Sequence, residues 1–331
     1  MIRIGIDANG GDNGVLSTVP AAISAVEKYK DIEITLYGDE TKIKPLLTKD
    51  ERIKIVHTAV TMDMGEHDPV RAVRTMKDSS LDMVMYAAKN NEVDAVVTSG
   101  PTQCVIMAAH VIIRRLPGME RVALCPIVPN YDKKPRLLLD VGANVELRPE
   151  HFGEFAIYAS VVAKEILNIE KPTVGLLNIG SEPGKGREID QAAYKYLSEL
   201  DGIDFKGNIE PNQIINSPTD IIVCDGFTGN IALKTLEGTA KCMGTILKEE
   251  IGHNIFALFL KKKFKRFKKR FDSKEVGGAM ITGIKVPVIK AHGNSDDYAF
   301  FNAIRQAYQM VSGDVINKVI NKLPKKEDKN E

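Results

Sequence analysis

The chain has 331 residues, 44% of them hydrophobic and 27% charged, with a formal net charge of +1. That balance describes a folded, enzyme-sized unit and excludes a disordered or fibrous chain. No apolar stretch approaches the roughly 18–20 residues that span a bilayer. The four cysteines are widely spaced and form no CxxC pair, which disfavours a zinc ribbon and suits reduced, buried thiols in the cytosol.

The N-terminus opens directly on a strand pattern, with no cleavable apolar segment behind a basic one. Short aliphatic runs predict strands at residues 2–6, 32–37, 53–56, 95–97, 122–128, 136–139, 174–177, 204–206, 221–223 and 286–289. Several are almost continuously apolar, the mark of strands buried on both faces. Between them, helical spacing predicts helices at 18–29, 80–90, 105–115, 149–167, 186–199 and 295–320, with another opening at Val70. Strand–helix alternation of this kind predicts one α/β domain over 1–331, a three-layer αβα sandwich with a largely parallel sheet. Residues of about 230–272 read as a helical hairpin protruding from it, and about 323–331 as a charged, frayed tail.

Ligands of open α/β sheets bind beyond the carboxyl ends of the strands, and this chain places small, polar turns there repeatedly. The first strand is followed by Asp7-Ala8-Asn9-Gly10-Gly11-Asp12, and the fourth by Thr98-Ser99-Gly100-Pro101-Thr102. The strand at 136–139 leads into Asp140-Val141-Gly142-Ala143-Asn144. The strand at 174–177 leads into a loop containing Gly184-Lys185-Gly186. The run at 221–223 precedes Asp225-Gly226-Phe227-Thr228-Gly229-Asn230, and the final strand precedes His292-Gly293. Glycine lets backbone N–H groups approach an anion, and helices starting just after such turns add a positive dipole end. Each turn alone is ordinary loop chemistry; six of them on one edge of one sheet predict a phosphate site. The GxxxxGK[ST] and GxGxxG patterns are absent, which disfavours ATP, GTP and NAD.

His292 sits between a strand end and a helix start, and His67 lies in Glu66-His67-Asp68-Pro69 ahead of a helix. A lone histidine is most often a structural or surface residue, so position alone recommends these two, and His292 the more. No HExxH or GxSxG is present, which disfavours a zinc hydrolase and a serine triad. Cys104 is better read as a small buried side chain than as a nucleophile.

Residues 261–270 read KKKFKRFKKR, eight basic residues without an acid. Setting those eight aside leaves 37 of the 45 basic residues against 44 acidic ones, a formal −7, so a mildly acidic body carries one basic element. Phe256, Leu260, Phe264, Phe267 and Phe271 recur every three or four positions, one face of a helix. Such a face packs on another helix, in the chain or across a dimer, or lies on an anionic membrane or an acidic protein. Phe256, Leu260, Lys261, Lys262, Lys263, Phe264, Lys265 and Arg266 are the candidate contacts. A single basic helix without a recognised reader motif disfavours nucleic acid.

With these motifs assembled, the chain resembles the bacterial phosphate acyltransferase (PlsX) family of phospholipid synthesis over about residues 2–311. The resemblance rests on Asp7-Ala8-Asn9-Gly10-Gly11-Asp12 (family pattern DAMGGD), Lys77-Asp78-Ser79-Ser80, Leu139-Asp140-Val141-Gly142-Ala143-Asn144 and Gly175-Leu176-Leu177-Asn178-Ile179-Gly180. It rests equally on Gly184-Lys185-Gly186, the run Val223 to Asn230, and Ile289-Lys290-Ala291-His292-Gly293. The resemblance implies transfer of an acyl group from acyl-acyl carrier protein to inorganic phosphate. It also implies a fold like isocitrate and isopropylmalate dehydrogenases and phosphotransacetylases, a homodimer, and peripheral attachment to the inner face of the cell membrane. Two departures stand out. Pro101-Thr102-Gln103-Cys104 replaces the usual Asn-Thr-Gly-Ala, which predicts a reshaped loop, and Asn9 replaces methionine.

Lys185, Asn230 and His292 are the expected catalytic residues. Lys185 and the 226–230 turn would hold phosphate; His292 or Lys185 would stabilise the tetrahedral oxyanion or protonate the leaving thiolate. Asp7, Gly10, Gly11, Asp12, His67, Ser99, Gly100, Thr102, Asp140, Asn144, Gly184, Asp225, Gly226, Thr228 and Gly229 complete the expected binding set, with Asp140 and Asp225 ordering loops. Nothing in the chain calls for a cofactor or a metal. The rival readings are a phosphotransacetylase-like enzyme using acyl-CoA and a membrane-bound scaffold without activity.

Overall fold

In the computed structural model the described residues are 1–252 and 273–324. An eleven-stranded sheet runs through them. Its first half is built from β1 (Ile2–Asp7), β2 (Ile32–Gly38), β3 (Ile53–His57), β4 (Ala95–Thr98) and β11 (Val288–Ala291). Its second half is built from β6 (Arg136–Leu139), β7 (Thr173–Leu177), β8 (Asp204–Ile209) and β9 (Ile221–Val223). Between the halves lie β5 (Ala123–Val128) and β10 (Gly278–Thr282), giving the order β3-β2-β1-β4-β11-β10-β5-β6-β9-β7-β8.

Both halves are internally parallel, as the buried apolar runs predict. The seams β11–β10, β10–β5 and β5–β6 are antiparallel. Three reversals make β6, β7, β8 and β9 run opposite to β1 and β4. The six polar turns therefore do not share one edge of the sheet, as the sequence suggests. Those after β1, β4 and β11 lie at one edge, and those after β6, β7 and β9 at the other. Strand β10 is also absent from the sequence-based reading.

Helices cover the sheet. Among them are α1 (Val15–Lys28), α2 (Glu40–Ile43), α3 (Pro69–Thr75), α4 (Ser80–Lys89) and α5 (Thr102–Ala108). They are followed by α6 (Pro149–Leu167), α7 (Glu188–Glu199), α8 (Gly226–Gly252), α9 (Asp297–Ser312) and α10 (Val315–Lys322). Helix α6 is apolar nearly all round, and Phe152, Phe155 and Tyr158 place it inside the main core with Phe300 of α9. The single helix expected at 295–320 is two. Asp296 caps α9 by accepting from the Ala299 amide at 2.9 Å, and the chain breaks at Gly313 and the left-handed Asp314 before α10. Apolar spacing continues across that break, which is why the sequence reads as one element. Leu323, expected to begin the tail, is buried in the main core. Among the described residues no helix is long and apolar enough to cross a membrane. The candidate contacts between Phe256 and Arg266 lie outside the described residues, as does the tail from 325 onward.

Candidate active site

Two buried carboxylates organise the loops. Asp7, at the end of β1, accepts from Ser80 Oγ at 2.6 Å, Thr98 Oγ1 at 2.7 Å and the Gly10 amide at 3.1 Å. Burial raises its pKa, and these hydrogen bonds and the charge of Lys290 pull it back. Ser99 Oγ donates to the Gly10 carbonyl at 2.8 Å, drawing the β1 and β4 turns together. Gly11 has φ +81° there, and a Cβ on it would sit 2.5 Å from Ser99 Oγ.

Asp140 does the same after β6. It accepts from the amides of Leu124 (3.0 Å), Gly142 (3.2 Å), Ala143 (3.1 Å) and Asn144 (2.7 Å), and from Asn144 Nδ2 (2.8 Å). The Asn144 carbonyl then receives the Gly226 amide at 2.7 Å, docking the start of α8 on this loop. Gly229 packs so closely that a Cβ would lie 2.0 Å from the Asp140 carbonyl oxygen. Asp225 accepts from Thr228 N and Thr228 Oγ1, both at 2.8 Å, and from Arg187 at 2.5 Å. Burial would raise its pKa, but these partners outweigh burial and hold it below the usual range. The glycines at these turns let loops close on one another.

From that anchored start, α8 packs beside β6 and turns one side toward β5 and β10. Beneath it lies a groove of about 530 Å³. Leu124, Pro126, Ile127 and Val128 of β5, Ala279 of β10 and Leu233, Leu236 and Ala240 of α8 give it a largely apolar wall. Its polar lining includes Thr102, Gln103, Asn230, Lys234, Glu237, Lys290 and His292. The two edges of the sheet thus contribute to one groove, because a helix starting at one edge reaches residues of the other.

Of the expected residues, the groove brings together Thr102, Asn230 and His292. Asp7, Ser99, Asp140, Asn144, Asp225 and Thr228 tie loops. Gly10, Gly11 and Gly100 sit in those turns, and Gly226 and Gly229 in the first turn of α8. Asp12 and His67 are exposed and are not among the lining residues. Neither are Gly184 and Lys185, which sit on the exposed loop after β7. There Asn178 Nδ2 holds the Lys185 carbonyl at 3.1 Å. Arg187, two residues on, joins this loop to Asp225 at the start of α8.

Pro101 caps α5 with an extended backbone, and Gln103 lies in its first helical turn. A proline costs no hydrogen bond there and Gln103 needs no left-handed conformation, so the departure is accommodated by a helix start. Cys104 is fully buried and its thiol is pushed up to about 11 by burial, which makes it a poor nucleophile.

Sequence reasoning quotes Lys290 in a motif but gives it no role. It is buried near the end of β11, with 7% of its surface exposed, and lines the groove beside His292. The signal was a lysine within an otherwise buried strand. Burial lowers its pKa to about 8, against the opposing charges of Asp7 and Asp12. His292 keeps an exposed edge, yet the protein packed around the rest of its ring lowers its pKa, with Glu237 opposing and Lys290 and Lys234 reinforcing. At neutral pH the groove therefore holds a neutral imidazole beside an ammonium.

Residues 2–318 match the family described as fatty acid synthesis protein. The chain is 47% identical to a protein of Acholeplasma laidlawii named phosphate acyltransferase, covering 98% of each. A Bacillus cereus protein of the same name is 42% identical over 98% of this chain and 99% of its own length. Among solved structures, a phosphotransacetylase from Streptococcus pyogenes shares the fold with a TM-score of 0.60 at 16% identity, covering 94% of both chains. A branched-chain phosphotransacylase from Enterococcus faecalis does so with a TM-score of 0.56 at 13% identity, covering 94% of this chain and 100% of its own.

Proposed function

The chain belongs to the fatty acid synthesis protein family, and from that premise we propose that it moves a fatty acyl group from acyl-acyl carrier protein to inorganic phosphate. The observation that carries this reading is the groove under α8. An apolar trough suits an acyl chain, and the polar end with Asn230, Lys290 and His292 suits a reacting thioester and an anion. A phosphate oxygen attacks the thioester carbon, forming a C–O bond as the C–S bond breaks. The proton that phosphate gives up ends on the departing sulfur, leaving acyl phosphate and free carrier protein. Phosphate is already charged, so the protein's part is positioning and stabilisation of the oxyanion. His292, kept neutral in part by the charges of Lys290 and Lys234, donates to that oxyanion or passes the proton to sulfur. Asn230, at the first turn of α8, orients the phosphate. Lys185 approaches from the loop after β7, which Arg187 ties to the same helix start.

The fold belongs with those of isocitrate and isopropylmalate dehydrogenases. Helix α8 leads into the basic segment, where Phe256, Leu260, Lys261, Lys262, Lys263, Phe264, Lys265 and Arg266 meet the acidic carrier protein or the anionic inner face of the cell membrane. The chain works as a homodimer in the cytoplasm, peripherally attached there.

Thiol release, measured from acyl-acyl carrier protein and from acyl-CoA with and without phosphate, tests the proposal. Phosphate-dependent release from the carrier protein, at least about tenfold faster than from acyl-CoA, is expected; a tenfold preference corresponds to about 1.4 kcal/mol. Preference for acyl-CoA makes it phosphotransacetylase-like, and carrier-protein binding without release makes it a scaffold.

A further inference from the structure

The groove holds a cation for which the described residues offer no close anion. Lys290 is more than nine-tenths buried. Its ammonium donates to the Ala291 carbonyl at 2.5 Å, a contact that fixes its direction without neutralising its charge. Among the described residues no carboxylate comes within 4 Å of it. Asp7 and Asp12 act on it only at longer range, and Asp7 already accepts from Ser80, Thr98 and Gly10. Other charged groups of the groove are Lys234 from α8, which repels it, Glu237, which acts on His292, and Lys133 and Glu275 of the lining. An ammonium buried without a counter-ion is costly. It persists in a site when a ligand supplies the missing charge.

Resting on the acyl-transfer reading above, we propose that Lys290 is a catalytic residue whose ammonium binds the attacking phosphate at the polar end of the groove. Its two unused N–H donors meet phosphate oxygens, with His292 two residues along the same strand end beside the thioester. Phosphate thus completes an electrostatic arrangement that Asp7 only begins. Binding makes the lysine a stronger base, because the dianion favours the charged form. Above about pH 8, where free Lys290 loses its proton, phosphate binding therefore draws a proton from solution. Phosphate itself stays dianionic there.

Calorimetric titration of the purified full chain with inorganic phosphate tests this, at about pH 9 in two buffers of different ionisation enthalpy. Wild type is expected to take up a proton on binding. Lys290→Met is expected to bind phosphate about 10- to 100-fold more weakly, as loss of one or two charge-assisted hydrogen bonds implies. Its KM for acyl-carrier protein should stay within about twofold, and Lys290→Arg should recover most of the phosphate affinity. Either of two results overturns the proposal: no proton uptake by wild type, or phosphate affinity in folded Lys290→Met within about threefold of wild type. The first needs no variant, so it stands even if Lys290→Met does not fold. A wild-type chain that releases no thiol with phosphate, yet binds phosphate with proton uptake, sinks the acyl-transfer reading and leaves Lys290 as an anion-binding residue.

Discussion

Asp7 and Asp140 occupy equivalent places in the opposed halves of the sheet, yet they are compensated differently. Asp140 is held by four backbone amides and the Asn144 side chain. Asp7 is held by two hydroxyls and one amide, with Lys290 acting on it through space. Backbone amides cannot turn away when their acceptor is lost, whereas hydroxyls can rotate to a new one. Asp140 therefore fixes architecture: it shapes the loop on which α8 starts. Asp7 fixes a loop and also acts on the charge of Lys290 in the groove.

The largest effect should come from Asp140→Ala. It strands four part-buried amides and loosens the footing of α8, so a loss on the order of 3 kcal/mol in urea unfolding is expected. Activity should fall with it, since Asn230 is carried on the same helix turn. A loss below about 1 kcal/mol would mean that water replaces the carboxylate freely, and the contrast with Asp7 would collapse.

Asp7→Asn should cost less, about 1–2 kcal/mol, because the amide oxygen still accepts and the hydroxyls readjust. Its sharper signature lies in pH. The Asp7 charge raises the pKa of Lys290, which burial holds at about 8. Removing that charge lowers Lys290 further, so the alkaline limb of phosphate-dependent turnover should move to lower pH. A limb that stays put would separate Asp7 from the chemistry. Stability follows the opposite sign. With its folded pKa depressed to about 8, Lys290 is fully charged in both states only well below that pH. As pH rises from there towards the normal lysine range, the unfolded chain holds the proton that the folded chain has shed. Lys290's contribution to stability should therefore grow across that window.

The contrast also explains what was legible. Buried aliphatic runs announce β1, β4, β6 and β9 and hence the parallel halves, because strands covered on both faces need little polar patterning. Strand direction was not legible from those runs. It depends on the short link between β5 and β6, where Pro129, Asn130, Asp132 and Pro135 crowd together; that turn chemistry, fully weighed, signals a hairpin and a reversal. Strand β10 begins at Gly277-Gly278, which reads as a turn; pairing on both sides makes it a strand. Loop-ordering roles for Asp140 and Asp225 were readable from residue type. The meeting of Asn230 with His292 was not, since it depends on the path of α8 beside the sheet.

The smallest expected effect probes the loop that the groove does not include. A Cβ on Gly184 would meet nothing within 4 Å, and its φ lies outside the left-handed region. Gly184→Ala should leave stability within about 0.5 kcal/mol of wild type, as at an unconstrained surface position. Gly229, by contrast, has no room for even a methyl group. Because the protein itself places no demand on position 184, any functional change there reports on a ligand. If Lys185 reaches the phosphate from this loop, the added methyl crowds the approach, and the KM for phosphate should rise severalfold with unfolding unchanged. An unchanged KM would place the Lys185 loop outside the phosphate site. Recognition of the anion would then rest on the first half of the sheet and the start of α8.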